Sequence, residues 1–493
     1  MPTIRMLPVA VAVTLTPAFA ARLAAQAPPE VGGVADRAAT ITAVDMQRRI
    51  GILAHDSRGG RDTPSPGLEK TARYIAGEFG AFGVKPALGT DFLQWYPLTR
   101  VGPGSRSGQS LVLRQGGSMY QLDPSSEYLS LPVGEAVRAS GPLAIPEAEG
   151  RAEAGSVLVL RATAQNLGER LGELRGMLAG GPVGALIALD APDRYLSGVR
   201  LFFESDRLTL GRPETLDVPA AIVPLASLPG ALRRSVEHGE VPAGWTADLR
   251  SSATVRVDSA MNVVGWLEGS DPALRDEYVV FTAHMDHVGV GRPVEGDSIY
   301  NGADDDASGT AGIVELAQAF ASGPRPRRSL VFMTVSGEEK GLLGSEWYSE
   351  HPLFPLDRTV ATVNMDMIGR NWEDTIVVIG KGESTLGALA ERVASDHPEL
   401  GLAVIDDLWP EERFYFRSDH YHFARKGVPI LFFFNGVHPD YHRPSDEPDK
   451  IKAEKAARIV RLVYLIGIEV ANADDRPAWD PAAYRRVVES GDH

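Results

Sequence analysis

From about residue 260 the chain lays down five short apolar runs, Tyr278 to Ala283, Leu330 to Val335, Thr359 to Asn364, Ile376 to Ile379 and Pro429 to Phe434, and separates them with helical segments. Four of the runs are nearly continuous in apolar residues and Thr359 to Asn364 sets Val and Ala among small polar residues, together the pattern of strands buried on both faces. Strands of this kind alternating with helices predict an α/β fold, with a mostly parallel central sheet flanked by helices. The helices carry their own pattern: Ser308 to Ala321 aligns Ile313, Leu316, Ala317 and Phe320 on one stripe, and Ala453 to Ala471 closes the fold.

The preceding part of the chain divides in two. Residues 44 to 84 read as helices, with Met46, Ile50 and Leu53 on one face, a loop from Ser57 to Gly67, a second helix from Leu68 to Phe82 and Gly83 as its stop. From Gly102 to Asp258 the texture changes to short strands rich in Gly and Pro, with a helix from Gln165 to Ala179 leading through Gly180, Gly181 and Pro182 into Val183 to Leu189. A length of 493 residues calls for two or three domains. The expected boundaries are 40–101 for the first part of the principal domain, 102–258 for a smaller β-rich insert, 259–475 for the remainder and 476–493 for a tail.

Residues 1–27 read as an export signal: Arg5 is the only early charge, Leu7 to Ala20 is almost wholly apolar, and Ala18-Phe19-Ala20 fits a small-x-small cleavage site. The apolar run is shorter than the ~20 residues a bilayer span needs, which favours a secreted or periplasmic protein with no stable membrane insertion. With 49 basic and 65 acidic residues the formal charge is −16, which excludes nucleic acid as the expected partner. There is no cysteine, so any metal must rest on His, Asp and Glu.

Those residue types collect where the strands end. His284-Met285-Asp286, Glu338-Glu339 and Asp366 follow or close three of the apolar runs, and Tyr441-His442 lies in the loop after the last. Ligands of open α/β sheets gather at the carboxyl ends of strands, so positions far apart in sequence converge. Asp304-Asp305-Asp306 opens a helix, where exposed amides favour carboxylates. Two zinc ions are balanced by three carboxylates and a hydroxide, with two neutral imidazoles completing the donor set; cobalt or manganese suits the same frame. His287, His420, His422 and His438 remain available as alternative donors, and Asp304 as an alternative to Asp305.

Five segments in order, Thr282 to His287, Asn301 to Gly309, Ser336 to Glu339, Asn364 to Gly369 and Tyr441 to Asp446, resemble the co-catalytic di-zinc aminopeptidases of peptidase family M28, of the aminopeptidase Y and S type. His55 to Gly60, Gly67 to Glu69 and Tyr74 to Ala76 resemble the opening helices of such enzymes, and the insert resembles a protease-associated domain. The resemblance implies that His284 and Asp366 hold one zinc, that Glu339 and His442 hold the other, and that Asp305 bridges them. It makes Glu338 the general base acting on a metal-bridging hydroxide, Asp286 the carboxylate that sets the His284 tautomer, and Tyr441 a hydrogen-bond donor beside the substrate. The implied activity is removal of N-terminal residues from peptides. A carboxypeptidase or other amide hydrolase on the same scaffold, and a non-catalytic binding protein, are the competing readings. Trp409, Phe414, Tyr415 and Phe416 are candidate pocket residues.

Overall fold

The computed structural model describes residues 33–132, 137–146, 153–179, 181–211, 216–240 and 244–490. The export-signal expectation lies outside the described residues, as does Gly180 of the expected helix-to-strand turn.

A ten-stranded sheet organises the principal domain. Its middle is made of Ile430–Phe434, Thr359–Asp366, Tyr278–His284 and Ser329–Val335, side by side and parallel. Beyond them the sheet is mixed. Thr375–Ile379 runs antiparallel to Ile430–Phe434, and Ala253–Leu267 runs antiparallel to both Ser329–Val335 and Leu93–Pro103. The expectation of a mostly parallel sheet is therefore corrected. Part of the cause is the passage to a second sheet: the chain leaves the first sheet along Leu93–Pro103 and returns along Ala253–Leu267. Those two strands pair from Pro103↔Ala253 to Leu93↔Val263, and such a ribbon can only be antiparallel.

Alternate residues of the central strands face two cores. Val279, Phe281 and Ala283 pack with helices Ala43–Leu53, Pro66–Phe82, Ala307–Ala321 and Ala453–Asn472. Val280, Val331, Met333 and Val335 pack on the opposite side with Tyr348 and Phe423, from helices Leu343–Glu350 and His420–Arg425. The helix ends follow local chemistry. The hydroxyl of Thr42 accepts from Asp45 N, that of Ser65 accepts from Leu68 N, and Gly83 closes its helix at φ 77°, a conformation that suits a residue without Cβ.

Connectivity then places a crevice. Tyr278–His284 is followed by a helix on one face and joins Ser329–Val335 on one side. Ser329–Val335 is followed by a helix on the other face and joins Thr359–Asp366 on the far side of Tyr278–His284. The strand order reverses at the carboxyl end of Tyr278–His284, the position where α/β sheets bind ligands.

Residues between the two ribbon strands build a second, eight-stranded sheet. Val137–Ala144, Val157–Thr163, Gly184–Asp190 and Ala220–Pro224 are parallel neighbours within it, and helix Leu167–Leu178 connects the second of these to the third. Separate apolar cores lie on its two faces. Among the described residues no helix is long and apolar enough to cross a membrane.

Candidate metal centre

His284 and Asp366 are the last residues of their strands, Glu338 and Glu339 sit in the turn between strand Ser329–Val335 and helix Leu343–Glu350, and the acidic triplet leads into helix Ala307–Ala321. His442, in the loop after Ile430–Phe434, comes back over the same crevice. Asp305 stands at the middle. Its Oδ1 is 3.2 Å from His284 Nε2 and its Oδ2 is 3.2 Å from His442 Nε2. Asp366 Oδ1 approaches His284 Nε2 at 3.6 Å, and Glu339 Oε2 approaches His442 Nε2 at 3.0 Å. The structure thus brings the five anticipated donors into two imidazole–carboxylate pairs that share one aspartate.

Their hydrogen bonding shows what the arrangement suits. Asp366 Oδ1, Glu339 Oε1 and His442 Nε2 are inaccessible to solvent and lack hydrogen-bond partners, a costly state for polar atoms unless something else satisfies them. Donors around a tetrahedral zinc, at bond lengths of about 2.0–2.1 Å, stand roughly 3.3 Å apart. The separations of 3.0 to 3.6 Å match that spacing. Zinc fits this set.

The neighbouring acids are committed elsewhere. Asp306 lies within reach of His284 and Asp366, but its Oδ1 accepts from Gly309 N and Met367 N and its Oδ2 from His284 N. Asp304 Oδ1 accepts from Gly369 N at 2.6 Å, and its Oδ2 faces His438 Nε2 at 3.3 Å. That contact draws His438 away from the cluster and leaves Asp305 facing both imidazoles. His420 is likewise remote, its Nε2–H donating to Tyr415 O at 2.8 Å.

Electrostatics mark the crevice as cation-seeking. Burial opposes charge on the His284 imidazole, but Glu338 and Asp366 outweigh it and hold its pKa well above the ordinary value. Burial is likewise outweighed at His442, where Asp305 and Glu339 push the pKa up to about 10. Imidazoles so surrounded gather protons because carboxylates are in surplus, and a metal cation answers the same field.

Glu338 borders both the cluster and open space. Its Oε2 is 4.0 Å from His284 Nε2. Burial, reinforced by Glu339, Asp419 and Asp366 and opposed by His284, holds its pKa well above the usual carboxylate range. A small pocket opens beside Glu338, His284, Asp305 and Asp366, walled by Phe414, Phe432, Phe434, Val437 and Tyr441, with Arg417 also lining it. Of the four aromatic candidates only Phe414 lines this pocket; Trp409 packs behind it, and Tyr415 and Phe416 pack against His420 and Tyr421. Tyr441 stacks on the His442 ring at 3.9 Å, with its hydroxyl pKa raised by burial and by Asp305. A roomier apolar cleft, walled by Leu171, Tyr195, Phe202 and Phe203, contains no carboxylate or imidazole.

Asp286 differs in detail from the expectation. It is the backbone carbonyl of Asp286 that lies 3.2 Å from His284 Nδ1, while the carboxylate is 3.7 Å away. The carboxylate turns instead to Glu338 N and to the hydroxyl of Thr63. Three further residues support the cluster. Thr63 ties Asp286 to Gly337 N. Ser418 donates to Asp366 Oδ2 and is itself held by Asn364. Arg61, fully buried, donates to the carbonyls of Leu53, Met285, Asn301 and Gly302. Only the glycine-rich stretch just before Arg61 hinted at that last role.

The family model described as Peptidase family M28 matches residues 262–466. Aminopeptidase YwaD of Bacillus subtilis is 28% identical over 229 residues, which are 44% of this chain and 46% of that protein. The chain therefore spans about half the length of that relative. A probable leucine aminopeptidase of Arthroderma benhamiae is 28% identical over 253 residues, covering 48% of this chain and 68% of its own. The solved aminopeptidase from Aneurinibacillus sp. strain AM-1 superposes with a TM-score of 0.55 at 20% identity, over 90% of this chain and 97% of that one, a likeness of fold.

Proposed function

The chain belongs to peptidase family M28, and from that premise we propose that it is an exported, zinc-dependent aminopeptidase that hydrolyses N-terminal residues from peptides. The observation that carries this reading is the pair of imidazole–carboxylate clusters sharing Asp305, set beside a pocket that Glu338 also lines. In this reading His284 and Asp366 hold one zinc, Glu339 and His442 hold a second, and Asp305 serves both. Bound zinc supplies a Lewis acid that acidifies water and neutralises negative charge developing on the scissile carbonyl.

The remaining work belongs to the protein's own groups. A carboxylate with a raised pKa can accept a proton near neutral pH and surrender it again. Glu338 therefore takes the proton from the attacking water and delivers it to the leaving amine, so that water adds across the first peptide bond and a free amino acid and the shortened peptide leave. Asp286, through Glu338 N, keeps that carboxylate at the pocket. Tyr441 keeps its hydroxyl proton because of its raised pKa, and in this reading its O–H gives a hydrogen bond to the carbonyl oxygen in the transition state. The aromatic walls suit an apolar first side chain. The eight-stranded sheet stands as a protease-associated-like insert, and the apolar leader of the sequence supports export.

One observation favours a second reading. Arg417 lines the pocket with its guanidinium over the Phe414 ring and 3.7 Å from Glu412 Oε2, and a swing away from Glu412 would bring it to the terminal carboxylate of a carboxypeptidase substrate. A mass-spectrometric digest of a peptide library with free and N-acetylated termini separates the two. Loss of first residues from the free peptides alone supports the aminopeptidase, trimming from the other end supports the carboxypeptidase, and no cleavage of either defeats both.

A further inference from the structure

The five-donor reading leaves one buried imidazole over. His287 is wholly buried, and neither ring nitrogen has a hydrogen-bond partner. Its Nδ1 nevertheless lies 2.8 Å from Glu339 Oε1 and 3.6 Å from Asp305 Oδ2, and donor atoms of His287, Asp305, Glu339 and His442 all fall within 4.8 Å of one another. The ring is seated firmly. Its backbone N–H donates to Arg61 O, and a Cβ on Gly302, which has φ +56°, would come within 2.5 Å of the imidazole, so only bare backbone leaves room for it. A buried imidazole with two unpartnered nitrogens, aimed at carboxylates spaced like the donors of one ion, has the setting of a ligand.

The geometry points to His287 as a fourth protein donor to the metal held by Glu339 and His442, which makes the two metal positions unequal. This rests on the two-metal reading above. One position then has two imidazoles, Glu339 and the shared Asp305, the closed set of a tightly held ion. The other has His284, Asp366 and the shared Asp305. Both of its unshared donors, His284 and Asp366, line the pocket together with the shared Asp305, while His287, Glu339 and His442 do not. Three protein donors beside open space is the arrangement of a metal that meets substrate. The position with His287 anchors, and the position without it reacts.

The test is X-ray absorption on the full chain, stripped with chelator and reloaded with Zn²⁺, joined to Zn²⁺ titration against a chromophoric chelator. The expected result is three imidazoles shared by two ions, with one ion bound more tightly. His287→Ala is expected to weaken that tighter ion by about a hundredfold, the same ion that His442→Ala weakens, and to leave the other near its original affinity. Two imidazoles for two ions, or unchanged affinities in His287→Ala, overturn the proposal while leaving the metallopeptidase reading standing. A wild-type chain that binds no Zn²⁺ overturns both. The imidazole count is made on the wild-type protein, so it stands even if the variant fails to fold.

Discussion

Asp286 accepts the backbone N–H of Glu338 through Oδ1 at 3.3 Å, while its Oδ2 accepts from Thr63. The carboxylate is fully buried and so acts on the position of the Glu338 turn rather than on substrate. Asp286→Ala is expected to lower kcat by about ten- to a hundredfold with little change in KM, the usual size for a supporting contact one step from a metal site. Zinc content, measured alongside, should stay near that of the wild type. A variant with full kcat would show that the turn holds itself.

Glu338→Gln separates proton transfer from metal binding. The amide is close in size and keeps the turn, but it cannot carry the proton from water to the leaving amine. Turnover is expected to drop by about a hundred- to ten-thousandfold while zinc content and thermal midpoint hold. Wild-type turnover in this variant would remove Glu338 from the proposed reaction.

Arg61 makes a structural prediction. Its guanidinium joins the carbonyls of Leu53, Met285 and Gly302, and burial lowers its pKa only to about 10, so it stays charged at neutral pH. Replacing it with Met strands several buried carbonyls, a loss of more than about 3 kcal/mol. The expected outcome is a urea midpoint well below that of the wild type, with zinc affinity reduced because the acidic loop loses its backing. An unchanged midpoint would mean that water takes over these contacts.

Of the five proposed donors, His284, Glu339 and Asp366 were legible as candidates because they close or closely follow apolar runs, whereas Asp305, at the start of a helix, and His442, in a loop, took their roles from the family resemblance. The choice of Asp305 over Asp304 was not legible from spacing alone. It depends on Gly369 N and His438 occupying Asp304, contacts that reach across 65 and 134 residues. Arg61 and Thr63 escaped for the same reason, since their partners Met285 and Asp286 lie more than 200 residues away. The sheet's mixed character was hidden because Leu93–Pro103 contains Pro97, Gly102 and Pro103 and reads as loop. Its partner Ala253–Leu267 is exposed over its first half and becomes buried only where it joins the sheet.

His420 carries a prediction about acid. It is fully buried, its ring stacks on Phe432 at 4.4 Å, and burial lowers its pKa from 6.5 to about 3. Between those values the unfolded chain binds a proton that the native chain refuses, so stability rises with pH across the window and is lost as pH falls. At full effect the slope is about 1.4 kcal/mol per pH unit. His422, lowered by burial to about 4, adds a contribution of the same sign. Gln at position 420 keeps a donor for Tyr415 O but cannot take up the proton. His420→Gln should be less stable than the wild type at pH 7 through loss of the stacked ring, yet its stability should fall less steeply between pH 6 and pH 4. Urea midpoints measured for both proteins across that range decide the matter. Carboxylates elsewhere titrate in the two proteins alike, so the difference between the curves isolates the imidazole, and parallel curves would show that His420 takes up its proton as readily in the folded chain as in the unfolded one.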